Sequence, residues 1–177
     1  MRKILSTFMQ MSVVSCAAGA MALNAESARA DVYNPVHIGA HIGMGIPSPD
    51  NTDPGLQWGG SIGVGFNKDM WNLSAFVSML NAEVLGIDTD YLTYGLAGKY
   101  HFSQVLSGLN AGLKLGFVKA EVSGISATDF GLGPVLSYDY VIGNTDLSVG
   151  AAADMMFVFA DDNYNIVSVL GTVKYWF

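Results

Sequence analysis

Beyond residue 30 the chain has no cysteine and no arginine: its single cysteine is Cys16, and its two arginines are Arg2 and Arg29. That stretch can therefore form no disulfide and offers no thiolate for catalysis or metal binding. Charge of either sign is scarce, at 13% of residues, about half the usual quarter. Basic charge is scarcest. Residues 31–177 hold five lysines against fourteen carboxylates, a net charge of −9. A surface that neutralises phosphates cannot be built from that set, which excludes nucleic-acid binding. Long hydrophobic runs are missing too. After residue 30 no stretch reaches the ~18 apolar residues of a membrane-spanning helix, although hydrophobic types make up 51% of the chain. Nothing in the composition marks disorder or low complexity, and 177 residues favour one domain.

The N-terminus carries its own signature. Arg2 and Lys3 precede an apolar stretch from Ile4, and Ala28-Arg29-Ala30 forms an A-x-A cleavage site before Asp31. Residues 1–30 are expected to be a signal peptide and residues 31–177 the mature domain. Val13-Val14-Ser15-Cys16 loosely forms a rival lipoprotein box, but the apolar run continues past it to the better site.

Alternation with period two fills the remainder. Over residues 36–46 one parity reads Val36, Ile38, Ala40, Ile42, Met44, Ile46, and the other His37, Gly39, His41, Gly43, Gly45. This is the signature of a strand and not of a helix. Seven further segments follow at 56–66, 71–79, 92–102, 109–117, 130–140, 147–157 and 167–177; Phe76 and Leu80 interrupt the polar parity of the third. Eight strands of about ten residues result, a length that crosses a bilayer when tilted. Asn67-Lys68-Asp69, Ser103-Gln104 and Ile142-Gly143-Asn144 mark tight turns. Longer polar connections are expected near 47–55, 81–90, 119–128 and 160–165. Pro134 falls inside the sixth strand, where it forfeits a ladder hydrogen bond, and a bulge beside Gly131 and Gly133 is expected to absorb it.

A soluble eight-stranded barrel would alternate as well, so the polar parity has to decide. A water-facing sheet should be rich in charged residues, yet this parity is chiefly Gly, Ser and Asn with isolated charges. Glycine is a poor strand residue on an open surface and fits where backbones crowd a narrow interior. The apolar parity carries two aromatic bands. Phe66, Trp71, Tyr100, Phe102, Tyr138, Tyr140, Tyr175 and Phe177 lie at the short-turn ends of the strands, and Trp58, Phe117, Phe130, Phe157 and Phe159 at the opposite ends. Such girdles around an aliphatic middle describe a barrel whose outside meets lipid, with closure satisfying every backbone polar group. The expected fold is all-β: an eight-stranded antiparallel up-and-down transmembrane β-barrel.

With these features the chain resembles the small eight-stranded bacterial outer-membrane barrels of the OmpA, OmpX and OmpW kind over residues 31–177. The signal, the strand count, the turn pattern, the strand end Gly98-Lys99-Tyr100-His101-Phe102 and the final Val173-x-Tyr175-x-Phe177 carry the likeness. The resemblance implies a location in the outer membrane, both barrel ends in the periplasm, and Tyr175 and Phe177 as the signal read by the barrel-assembly machinery. One departure stands out: Thr172 holds the place, five residues before the end, where such chains usually have glycine.

No nucleophile elbow, metal cluster or phosphate loop occurs, so no catalytic residue, metal or cofactor is expected. His37 and His41 lie about 13 Å apart on one strand at about 3.3 Å per residue, too far to share a metal. His101 and Ser103 form a His-x-Ser pair that faintly resembles that of outer-membrane lipid A deacylases, but His101 belongs to the interior parity. His41, Lys114 and Asp154 fall at intermediate depth on the interior parity and form a candidate polar network. Charges in a narrow interior must pair or meet water, which leaves two readings, a plug of paired side chains and a narrow path for small solutes. The acidic connections (Asp50, Asp53, Glu83, Asp88, Asp90, Glu121, Asp161, Asp162, against Lys119) suit divalent cations that bridge to lipopolysaccharide phosphates. The functional expectation is an integral envelope component, with or without a narrow channel. The rivals are a lipid A-modifying enzyme and an adhesin or partner-binding barrel acting through the acidic loops.

Overall fold

A computed structural model describes residues 36–48, 52–66, 70–84, 86–102 and 108–177. The expected signal peptide, Cys16, Asp50, Asn67-Lys68-Asp69 and Ser103-Gln104 lie outside the described residues. Eight strands follow in order: β1 (Val36–Ser48), β2 (Gly55–Phe66), β3 (Trp71–Val84), β4 (Ile87–His101), β5 (Leu109–Val122), β6 (Ile125–Val141), β7 (Leu147–Phe159) and β8 (Tyr164–Trp176). Each pairs antiparallel with its sequence neighbour, and β1 pairs with β8 to close the barrel. The backbone N–H of Phe177 donates to the carbonyl of Val36 at 2.9 Å, so both described ends meet at one rim.

The register can be followed around the wall. From Ile38 it runs through Ile62, Ala75, Leu96, Leu115, Leu132, Phe157 and Asn165, and returns to β1 at Ser48, ten residues further on. A shear of that size on eight strands corresponds to a tilt of roughly 40°. Every outward residue on this circuit from Ile38 to Phe157 is apolar. Inward glycines let the strands coil closely: a Cβ on Gly133 would lie 1.7 Å from the carbonyl oxygen of Met155.

Three expectations about the strands are corrected. They run 12 to 17 residues and not about ten. The polar stretches expected as long connections at 81–90 and 119–128 are paired strand almost throughout. Only residues 85–86 separate β3 from β4, and only Ser123-Gly124, both at positive φ, separate β5 from β6. Apolar alternation marks the part of a strand that touches lipid, whereas the hydrogen-bond ladder continues into water without it. The expected bulge at Pro134 is also absent. The β6–β7 ladder breaks opposite Met155 and Met156 and resumes at Val135↔Asp154 in the same register. Pro134 points outward, so the lost donor costs one bond and no shift.

Candidate functional site

The outer wall is a belt of exposed apolar side chains, including Ile42, Ile62, Leu73, Leu96, Leu113 and Val173. Its aromatic bands contain runs of ring-to-ring contact. At the short-turn rim Trp71, Tyr100 and Phe102 meet edge-on at 5.1 Å each, and Tyr175 meets Phe177 at 5.0 Å. At the far rim Phe117, Phe130 and Phe159 form a second chain of ring contacts. In water so large an apolar surface would drive aggregation; in a bilayer it is the matching surface.

The lumen divides along the barrel axis. Toward the far end Phe76, Leu80, Tyr91, Val118, Met156, Val158 and Ile166 form one apolar cluster, none more than 8% exposed. These residues sit on the parity otherwise occupied by Gly, Ser and charge, so reading that parity as uniformly polar misses them. The signal was present in Phe76 and Leu80, and extending the parity past the lipid-facing segments to Tyr91, Val118 and Ile166 would have completed it.

At the cluster's inner boundary the Lys114 ammonium lies 4.6 Å from the centre of the Phe76 ring and donates to Asp154 Oδ2 at 3.0 Å. Both side chains are buried, 11% and 4% exposed. The three residues grouped from the sequence line one chamber, but His41 is not directly bonded to the pair: among the described residues its Nε2 meets Ser78 Oγ at 3.1 Å. Closer to the short-turn rim Lys174 pairs with Asp139, whose Oδ2 also accepts from Asn110 Nδ2. His101 Nδ1 meets Asn110 Oδ1 at 2.9 Å, inside the lumen. The floor includes Trp176, which turns inward, its rings 4.7 Å from His37 and its Nε1 donating to Ser148 Oγ. Tyr175 and Phe177 face outward in the aromatic band. Between floor and apolar cluster lies a chamber of about 60 Å³.

Above the belt, β3 to β6 continue as a projecting four-stranded sheet. Its outer face carries Glu83, Asp88, Asp90 and Glu121, with Lys119 held by Glu121 at 2.9 Å. The β3 edge is covered: Thr52 bridges Val84 and Asp53 N–H donates to the Glu83 carbonyl. The β6 edge is not. β7 ends at Phe159 opposite Phe130, so among the described residues nothing pairs with residues 125–129 on that side. Ile125 at its tip is 79% exposed.

A closed eight-stranded barrel with a lipid-facing belt between two aromatic girdles is a small transmembrane barrel of the bacterial outer membrane. The solved structure of Ail, the attachment invasion locus protein of Yersinia pestis, shares this fold with a TM-score of 0.56 and 11% identity, over 81% of this chain and 99% of that one. Ail in complex with the heparin analogue sucrose octasulfate gives 0.54 and 14% identity over the same shares, 81% and 99%. At such identities the likeness is one of fold. No protein-family model and no curated protein sequence matches the chain.

Proposed function

We propose that the protein is a closed envelope barrel that docks an extended, basic segment of a partner protein along the open edge of its projecting sheet. The observation that carries this reading is the unpaired side of β6 over residues 125–129. A free strand edge presents backbone donors and acceptors in register for strand addition. Proteins that keep such edges inert place Lys or Pro on them; Ile125-Ser126-Ala127-Thr128-Asp129 contains neither. Glu121 on the neighbouring strand, Asp88, Asp90 and Glu83 further across the same sheet face, and Asp161 and Asp162 in the β7–β8 connection favour a cationic guest. The same charges disfavour a sulfated polyanion such as the ligand with which Ail was solved.

The rival readings find less support. A narrow channel would need the apolar cluster around Phe76 and Leu80 to leave the lumen. A lipid A-modifying enzyme would need its acid–base set on the lipid face, whereas His101 lies inside. The test pairs two measurements on refolded full-length protein. Planar bilayers should show no discrete conductance, and a lysine-rich, β-prone peptide should bind wild type but not Ala127→Pro/Thr128→Lys. Stepwise conductance, or equal peptide binding by both proteins, would overturn the proposal.

A further inference from the structure

We propose that the chamber inside the barrel is a binding site for a single small monovalent anion of halide size, held on the Lys99 ammonium. Three lysines line it, Lys99, Lys114 and Lys174. On the short-turn side of the apolar cluster the lumen supplies two carboxylates to match them, and each pairs with one lysine through Oδ2: Asp154 with Lys114 and Asp139 with Lys174. Lys99 has no ion pair or hydrogen bond among the described residues. Among the described residues, the short-turn half of the lumen therefore carries one cation more than its own anions balance, and a buried charge in a low-dielectric space must be paired or hydrated.

A second observation points into the same space. The Thr172 hydroxyl lines the chamber, and among the described residues its buried Oγ1 has no hydrogen-bond partner, as is also true of Asp139 Oδ1. An orphaned hydroxyl and an unpaired ammonium that line one chamber are two donors that an anion between them satisfies, the ammonium by charge and the hydroxyl by direction. The single unpaired charge sets the ligand class as monovalent, and about 60 Å³ holds several water-sized guests, so a monatomic ion fits together with its waters.

The experiment uses refolded full-length protein with bromide as the probe. Crystals soaked in bromide should show an anomalous peak within hydrogen-bonding distance of Lys99 Nζ and Thr172 Oγ1. In solution, exchanging gluconate for bromide at constant ionic strength should raise the urea midpoint of wild type. Thr172→Val, which keeps the side-chain shape, should need about tenfold more bromide for the same rise, the effect of losing one hydrogen bond to a charge. Lys99→Met should show no halide dependence and should be no less stable than wild type in gluconate. A chamber holding only water, with Lys99 turned onto Asp139 and bromide confined to the surface, would overturn the proposal. So would equal bromide dependence in wild type and Thr172→Val, a readout that survives if Lys99→Met fails to fold.

Discussion

The two halves of the lumen are made by the same eight strands, on the same parity, yet they are different solvents. Toward the projecting sheet the interior is filled by Phe76, Leu80, Tyr91, Val118, Met156, Val158 and Ile166, packed as in a soluble core. Toward the short turns it holds two lysine–aspartate pairs, the Asn110–His101 contact and the His37–Trp176 floor. The difference is one of volume and hydration. Large apolar side chains fill a narrow barrel without water, and each buried one contributes roughly 1.5–3 kcal/mol. Charged pairs among Gly, Ser and Thr leave room, and the chamber is that room. Mechanical closure resides in the first half and electrostatic character in the second.

The largest test of this contrast is Phe76→Ala. It leaves a cavity where the apolar half touches Lys114, and should cost about 4 kcal/mol in urea unfolding from bilayers. A loss under about 1 kcal/mol would mean that the cluster is not tightly packed. Next is Lys114→Met, which strands Asp154 and should cost about 3 kcal/mol, near the low end for buried pairs because the chamber admits water. The double variant Lys114→Met/Asp154→Leu should recover much of that loss. Strictly additive losses would show that the 3.0 Å contact carries no coupling. Smallest is Trp176→Phe on the floor, which removes the bond to Ser148 Oγ and should cost about 1 kcal/mol. No change there, with Phe76→Ala still damaging, would place nearly all of the interior's stability in the apolar half.

Much of the architecture was legible from residue spacing. The eight segments, the outward parity and the two aromatic bands each follow from local alternation, because a strand exposes alternate residues to opposite faces whatever its partners do. Lys114 and Asp154 could be placed at similar depth for the same reason. The grouping of His41 with them was less secure, since shared parity and depth say nothing about position around the circumference. His41 lies against Ser78 of β3, while Lys114 is on β5 and Asp154 on β7. Strand ends were misplaced at 81–90 and 119–128 because hydropathy reports lipid contact and not backbone pairing.

By itself the sequence determined the eight strand segments, the face that meets lipid, and the scarcity of basic charge beyond residue 30. These depend on composition and on period two, which are properties of short stretches. Only the tertiary structure decided which charges pair, that the lumen has an apolar half, and that among the described residues Lys99 makes no ion pair and the β6 edge at 125–129 stays open. Each depends on how far the register advances around the barrel, ten residues in one circuit from Ile38 to Ser48. That offset sets which strand ends converge inside and which strand outlasts its neighbour, and it arises from all eight ladders closing together.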